Sequence, residues 1–347
     1  MIQIVLTIIF LTSFLLMSTS VLFKKFDIVD KPDGIRKIHK GNIPLGGGIA
    51  MFISFSLLSI FFVSESTLQQ FDPLNFLRNI WLVSFIVLFL GLWDDIKPLP
   101  FSFRLIIQIL ASWLVIILTD IYIRDFGDLL GFGNIYVGEL GIPLTIFMVV
   151  GVCNAFNMLD GMDGSVGFVL LITFLTLAAI CYIENTGELF LIGSLVLICF
   201  LFFNLGFLGK NWKIFLGDSG SMWLGFITGW FLVVLTQAEG YKIFSPTTSL
   251  WLILLPLIDA LSTFINRISQ RKNIFLGDRS HLHHVLLDSG LKKWKVLLIF
   301  LVFASMASMT AIYFVVKEIE EPLQFYGFLT IWFFYSILMK TFKIKPS

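Results

Sequence analysis

The sequence predicts an all-α polytopic membrane protein with about eleven transmembrane helices. Of its 347 residues, 57% are hydrophobic and only 14% are charged, and the mean hydropathy is +0.93. A soluble domain carries roughly 25% charged residues. Apolar runs of near-membrane length recur along the whole chain. The chain therefore has too much apolar surface for a water-soluble core, and we expect a lipid bilayer as its solvent.

Each predicted helix corresponds to one apolar run, since about 20 such residues cross a bilayer. The runs lie near residues 1–23, 43–63, 79–93, 102–119, 142–158, 165–183, 188–206, 219–236, 248–266, 295–316 and 322–340. The third and fifth are short, so we expect them to extend into their flanks. No basic residue precedes the first run, which predicts a retained span rather than a signal peptide. We expect residues 1–347 to form a single integral membrane domain.

Basic residues predict the orientation. Eleven spans divide the loops into two sets, of which one carries 20 of the 24 Lys and Arg residues and the other carries four. The positive-inside rule assigns the basic set to the cytoplasm, with the N-terminus outside and the C-terminus inside. On the opposite side, residues 120–141 contain several Gly and Asp residues, which favours a small extracytoplasmic hairpin.

The reactive residues concentrate in the loops predicted to be cytoplasmic. In chain order they are His39, Asp94, Asp95, Asp160, Asp163, Asp218, His281, His283 and His284. An ordinary membrane loop is charged but need not contain histidines, paired acids and glycines together. We therefore predict an active-site cleft on this face. The three cysteines have no CxxC spacing and are expected to be small buried side chains.

Two of these loops suggest phosphate chemistry. The first combines basic residues, including Lys40 beside His39, with Pro44 and a glycine triplet at 46–48. Glycine lets backbone N–H groups approach a phosphate, although charge and a tight helix start would explain the pattern too. Adjacent Asp94 and Asp95 are costly to bring together unless a cation or a proton offsets them. They suit metal binding, proton transfer or attack on phosphorus better than a polar helix end.

The sharpest string runs from Asn154 to Gly164 and repeats an oxygen-bearing side chain every third residue. It carries Asn154, Asn157, Asp160 and Asp163. This spacing predicts one face of a helical turn, and hard oxygen ligands suit Mg²⁺. The spacing of an EF-hand loop is absent. Asp218 begins another span within a Gly-Asp-Ser-Gly-Ser string, which favours either helix capping or an anion site.

The last reactive loop contains Asp278-Arg279-Ser280-His281-Leu282-His283-His284. Three histidines suggest zinc, but the loop has no cysteine and is strongly basic, Arg267 included, so contact with a diphosphate or sugar is the better interpretation. Asp259 is an acid within an apolar run. It is either a supporting functional residue or the partner of a nearby cation.

Five of these strings, in this order, resemble the polyprenyl-phosphate N-acetylhexosamine-1-phosphate transferase superfamily, glycosyltransferase family 4. The resemblance covers residues 30–284 and implies ten or eleven helices around a cytoplasmic cleft. It implies that Asp218 is a Mg²⁺ ligand, with Asn157 at the metal and diphosphate. It also implies that Asp163, with Asp160 in the same string, lies at the uracil end of the donor, and that Asp94, with Asp95 beside it, lies at the acceptor phosphate. The histidines at the diphosphate or sugar would be His281, His283 and His284. Further substrate contacts would be His39, Lys40, Arg267 and Arg279.

The interrupted histidine string resembles the bacterial group that acts on UDP-N-acetylglucosamine or related UDP-hexosamines. This implies transfer of N-acetylhexosamine-1-phosphate to undecaprenyl phosphate in the inner membrane, with release of UMP and with Mg²⁺ or its substitute Mn²⁺. Such a step starts O-antigen, common antigen or teichoic acid synthesis. The alternatives are the muramoyl-pentapeptide transferase of peptidoglycan synthesis and, from another class, a transporter or lipid flippase. No nucleic-acid partner is expected, and a homodimer is left open.

Overall fold

The all-α membrane architecture is confirmed in the computed structural model, which describes residues 2–32, 41–62, 73–182, 187–271 and 281–343. Within these ranges the helices are α1 (Ile2–Lys25), α2 (Gly47–Phe62), α3 (Pro73–Ile96), α4 (Phe101–Thr119), α5 (Gly141–Leu159), α6 (Ser165–Cys181), α7 (Glu188–Asn204), α8 (Gly217–Gln237), α9 (Pro246–Leu252), α10 (Leu254–Ser269), α11 (Leu282–Asp288), α12 (Lys293–Val316) and α13 (Glu321–Lys343). Two short strands, β1 (Val29–Asp30) and β2 (Ile43–Pro44), pair antiparallel.

Seven of the described helices are long and apolar enough to cross a membrane, and the bent pair α9–α10 would make eight. The shorter apolar helices α2, α6 and α7 correspond to three more of the predicted runs. The short third and fifth runs do extend into their flanks, to become α3 and α5. The polytopic class is therefore established, whereas the count of eleven crossings stays a prediction.

The ninth run is not the single straight span that we expected. It divides into α9 and α10, which meet at an angle of 88° around Ile253. Pro256 lies in the first turn of α10, where its missing N–H is tolerated. Its ring would clash with the carbonyl four residues earlier if the helix were continuous, so the break precedes it.

Helix α8 forms the centre of the bundle, and its residues from Ser219 to Thr236 are all buried. Glycines allow neighbouring helices to approach its first turn. A Cβ added at Gly48 of α2 would overlap the backbone of Gly220, and one at Gly91 of α3 would lie 2.5 Å from the backbone N of Ser219. Small residues at helix contacts are the usual means of close packing in membranes. The end of α3 is thereby held beside the start of α8.

The segment 120–141 forms a small hairpin, as its composition predicts. Its ladder is a single antiparallel bridge between Asp125 and Tyr136. Backbone bonds join Phe126 N to the Ile135 carbonyl at 3.1 Å and Val137 N to the Arg124 carbonyl at 3.0 Å. Its position outside the cell stays a prediction.

Candidate active site

A cavity of about 620 Å³ lies at one end of the bundle, where α3, α5 and α7 end and where α4, α6, α8 and α12 begin. Its described walls contain six aspartates and only two basic residues. The acids are Asp30, Asp94, Asp95, Asp160, Asp163 and Asp218; the basic residues are Arg104 and Lys293; His284 also lines the cavity. Five carboxylates that the sequence marks as candidates therefore meet in one cavity with an excess of negative charge.

Asp218 and Asn157 are in direct contact. Asn157, in the last turn of α5, donates through Nδ2 to Asp218 Oδ1 at 2.8 Å and to Ser221 Oγ at 2.9 Å. Both side-chain hydrogens of the amide are then used, so its oxygen is the atom that can bind a further partner. The packing of α5 against α8 thus brings together a carboxylate and an amide oxygen, which are both hard ligands.

Asp95 binds backbone rather than facing the cavity with free oxygens. Its two carboxylate oxygens accept hydrogen bonds from the backbone N–H of Asp218 at 2.8 Å and of Ser219 at 3.1 Å. The first N–H groups of a helix have no partner within it. The start of α8 is therefore capped by a carboxylate from α3, and this cap fixes where Asp218 lies.

Asp94 forms a salt bridge with Arg104 at the edge of the cavity. Arg104 Nη1 donates to Asp94 Oδ2 at 2.6 Å, and the backbone N–H of Leu99 donates to Oδ1 at 2.6 Å. The Asp94 side chain is 6% exposed and that of Arg104 is 22% exposed. Both oxygens of this carboxylate are therefore already hydrogen-bonded, and its charge is offset from within the chain.

The four-residue face predicted for the Asn154–Asp163 string is wrong beyond Asn157. Helix α5 ends at Leu159, and Asp160 is its non-helical C-cap with φ −78° and ψ 52°. Asn154 instead donates to Gln108 Oε1 at 2.7 Å. Two glycines and Asp163 follow in a turn, where propensity for a helix is low. Asp160 and Asp163 nevertheless both line the cavity.

The acids of this turn differ in how their charge is balanced. Lys213 Nζ donates to Asp163 Oδ2 at 2.7 Å and lies 5.3 Å from the centroid of the Phe215 ring. Asp160 is only partly exposed and faces the cavity. Burial, and then the negative charges of Asp218 and Asp163, raise the pKa of the Asp160 carboxyl well above its ordinary value. A cation near Asp160 would reverse this effect.

The three histidines occupy different environments. The buried His281 ring bonds through Nδ1 to Asp259 Oδ2 at 2.8 Å. The buried His283 ring lies against Gly161, where an added Cβ would overlap it, and its centroid is 4.1 Å from that of His284. His284 reaches the cavity wall. Of the three, His284 is therefore the one that the described cavity offers to a substrate.

In the glycine triplet at 46–48, which the sequence suggests as a phosphate cradle, the N–H groups of Gly47 and Gly48 already have backbone partners. Gly47 N donates to the Phe215 carbonyl and Gly48 N to the Leu216 carbonyl, each at 3.0 Å. A Cβ at Gly47 would lie 2.6 Å from the Phe215 oxygen. These glycines serve the close packing of α2 against the segment that leads into α8.

Comparisons with known proteins identify the family of this chain. The family model described as glycosyl transferase family 4 matches residues 77–236. The undecaprenyl-phosphate alpha-N-acetylglucosaminyl 1-phosphate transferase of Escherichia coli (strain K12) is 30% identical over 345 residues, which cover 95% of this chain and 88% of that protein. The enzyme of the same name from Haemophilus influenzae is 31% identical over 89% of this chain and 85% of its own length. The chain belongs to glycosyl transferase family 4.

Four further substrate contacts are predicted for this family 4 member, and the structure describes one of them. Arg267 is a buried residue of α10, 4% exposed. His39, Lys40 and Arg279 lie outside the described residues. Sequence reasoning missed Arg104 and Lys213 as partners of Asp94 and Asp163, because both cations were assigned only to the charge balance of the loops. Their positions close to acidic motifs, in loops on the same side, were the available signal.

The donor set of this family 4 site fits a divalent cation of the Mg²⁺ type. Among the described residues, no three His, Cys, Asp or Glu side chains are grouped as a ready-made metal site. Mg²⁺ is usually held by one or two carboxylates, with waters and substrate phosphates completing its shell. Asp218 and the Asn157 oxygen supply such a partial set, and Asp160 adds a further carboxylate to the same cavity.

Proposed function

We propose that this protein transfers N-acetylglucosamine-1-phosphate from UDP-N-acetylglucosamine to undecaprenyl phosphate, with release of UMP. The proposal rests on one observation: Asp94, Asp160 and Asp218, which come from three separate motifs, line the same cavity. The identity of the transferred group and of the lipid rests on the names of relatives aligned over most of this chain.

The acidic charge of the described cavity wall favours cations that bind together with the substrates. Both the nucleotide diphosphate and the lipid phosphate are anions, whereas the described wall has six carboxylates and two basic residues. We infer that Mg²⁺ is the cofactor, that Mn²⁺ can replace it, and that Asp218 and Asn157 hold it. When bound, such an ion offsets the negative charge that develops on the transferred phosphoryl group and on UMP.

The proposed chemistry is a direct displacement. An oxygen of the acceptor phosphate forms a bond to the β-phosphorus of the donor, while the bond from that phosphorus to the bridging oxygen breaks and UMP leaves with this oxygen. A phosphate monoester has a second pKa of about 6, so the acceptor is largely dianionic near neutral pH and needs no strong base. Both oxygens of Asp94 are already hydrogen-bonded, which favours an orienting role over that of a covalent nucleophile.

Other residues of the site position the reacting groups. Asp95 holds the start of α8 and hence Asp218. We infer that His284 contacts the diphosphate or the sugar and that the ion pair of Asp163 with Lys213 lies near the uracil end of the donor. The apolar part of the wall, which includes Val166 and Phe200, suits the first prenyl units of the acceptor.

The proposal includes the membrane arrangement. We infer that the whole chain is one inner-membrane transferase domain with eleven crossings, its N-terminus outside and its cavity open to the cytoplasm, where UDP-sugars are made. The distribution of Lys and Arg between the two sets of loops supports this orientation. The reaction would then be the first membrane step in the synthesis of a cell-surface polysaccharide.

The test is UMP release by the detergent-purified protein with undecaprenyl phosphate, UDP-N-acetylglucosamine and Mg²⁺. We expect release to require the lipid, to stop with EDTA and to fall at least about 100-fold in Asp218→Asn. Asp120→Asn is the matched control, since its side chain is 85% exposed at the other end of the bundle. If UMP were released only with a different UDP-hexosamine, the proposed donor would be replaced by that sugar nucleotide. If no nucleotide sugar gave UMP release, the proposal would be refuted.

A further inference from the structure

Asp259 is the centre of a buried hydrogen-bond network next to the histidines of residues 281–284. Asp259 belongs to α10 and is 2% exposed. Its Oδ1 accepts hydrogen bonds from Tyr335 Oη at 2.6 Å and from Leu282 N at 2.9 Å, and its Oδ2 pairs with His281 Nδ1 at 2.8 Å. A buried carboxylate is costly unless donors compensate it. Here the donors come from α13, from the start of α11 and from the histidine string.

The last helix is held to α10 by more than this one bond. Trp332 Nε1 donates to Ser262 Oγ at 3.1 Å, and the hydroxyls of Ser262 and Ser336 are 2.8 Å apart. Trp332, Tyr335 and Ser336 are spaced three and four residues apart, so they lie on one face of α13. The contact between α10 and α13 therefore places Tyr335 next to Asp259.

This network is connected to the cavity through α11. Asp259 binds the first N–H of this seven-residue helix, which carries His283 and His284. His281 and His283 have parallel rings, 6° apart with centroids at 6.2 Å, and His284 lines the cavity. A shift at Asp259 would thus move the side chain that faces the substrate.

We propose that Tyr335 and Asp259 are positioning residues: together they fix His281 and the start of α11, and through them they set the place of His284 in the active site. The inference rests on the proposed transferase function. The paired Nδ1 of His281 fixes the orientation of its ring, as a carboxylate does for metal-bound and catalytic histidines. Neither Tyr335 nor Asp259 is among the described residues that line the cavity.

The first test compares Tyr335→Phe with Tyr326→Phe, the same change at a tyrosine of α13 that is 48% exposed. We expect Tyr335→Phe to lower kcat about tenfold and to leave the KM for UDP-N-acetylglucosamine within about twofold, because the hydroxyl acts on geometry and not on binding. Tyr326→Phe should change neither. In a His281→Gln background, Tyr335→Phe should lower kcat by clearly less than tenfold, because only the bond from Asp259 to the start of α11 remains to be disturbed. An undiminished tenfold loss in that background, or equal kcat values for both single variants, would overturn the proposal.

A second measurement does not depend on the reaction. Hydrogen exchange of the peptide 282–288 should become about tenfold faster in Tyr335→Phe than in the wild type and in Tyr326→Phe. Unchanged exchange would overturn the positioning role even if the wild type proved inactive with every sugar donor. An inactive wild type with faster exchange in Tyr335→Phe would refute the proposed function and leave the structural link established.

Discussion

The carboxylate of Asp95 accepts a hydrogen bond from the backbone N–H of Asp218 at 2.8 Å. This bond joins two helices, since Asp95 closes α3 and Asp218 opens α8. The adjacent acid, Asp94, is instead paired with Arg104. Two neighbouring carboxylates thus have different partners: Asp95 caps the start of α8, and Asp94 pairs with Arg104 at the edge of the cavity.

Replacing Asp95 should therefore affect stability as well as activity. Asp95→Ala removes the cap from the start of α8, so we expect the free energy of unfolding to fall by about 1–2 kcal/mol. Thermal unfolding in detergent measures this, with Glu239→Ala as control because the Glu239 side chain is 87% exposed. Lost activity without lost stability would mean that Asp95 acts on the substrate directly.

Removing Arg104 should leave the buried Asp94 charge without its partner. We expect Arg104→Gln to lower the free energy of unfolding by roughly 1–3 kcal/mol and to lower kcat at least about tenfold. The double variant Asp94→Asn/Arg104→Gln should be more stable than Arg104→Gln alone, since no unpaired charge remains. A double variant that is as unstable as the sum of both single changes would contradict this account of the pair.

The sequence predicts the convergence of the acids better than it predicts their contacts. Hydropathy locates the runs, and alternating crossings with a biased charge distribution bring Asp94, Asp160 and Asp218 to the same face. The bond from Tyr335 to Asp259 spans 76 residues of the chain. Such a contact depends on how α13 packs against α10, and local patterns contain no information on helix–helix packing at that distance.

Local patterns also missed two backbone features for physical reasons. The repeat from Asn154 to Asp163 fits a helix, yet Gly161 and Gly164 follow the end of α5 and make the helix unfavourable there. The apolar run around Ile253 is long enough to cross a bilayer, but the steric effect of Pro256 divides it. Periodicity alone reports neither a turn nor a bend.

Asp160→Asn should stabilise the metal-free protein. The folded pKa of Asp160 is raised, so its ionised form is unfavourable in the fold, and the stability it contributes is complete below about pH 4 and is lost as the pH rises through the folded pKa. In EDTA at pH 7.5 we expect the variant to be more stable than the wild type, and the advantage should vanish near pH 4. Mg²⁺ should stabilise the wild type more than the variant.

Unfolding temperatures of both proteins at the two pH values measure this difference. Asp120→Asn is the control, because its exposed carboxylate should show no such dependence on Mg²⁺. A variant that is less stable than the wild type at pH 7.5 in EDTA would show that the Asp160 carboxylate has favourable partners in the fold.

Gly91 should tolerate no larger side chain, because α3 and α8 meet there backbone to backbone. A Cβ at Gly91 would lie 2.5 Å from the carbonyl oxygen of Asp218 and equally close to the N of Ser219, and neither atom can rotate away as a side chain would. We expect Gly91→Ala to lower the free energy of unfolding by about 1–3 kcal/mol. The same change would separate Asp94 and Asp95 from Asp218, so UMP release should fall with it.

Gly151→Ala is the matched control for Gly91→Ala. A Cβ at Gly151 meets nothing within 4 Å, and alanine in a helix interior should stabilise the protein by about 0.5–1 kcal/mol. If both variants behave alike in thermal unfolding and in UMP release, the contact between α3 and α8 does not set the geometry of the site.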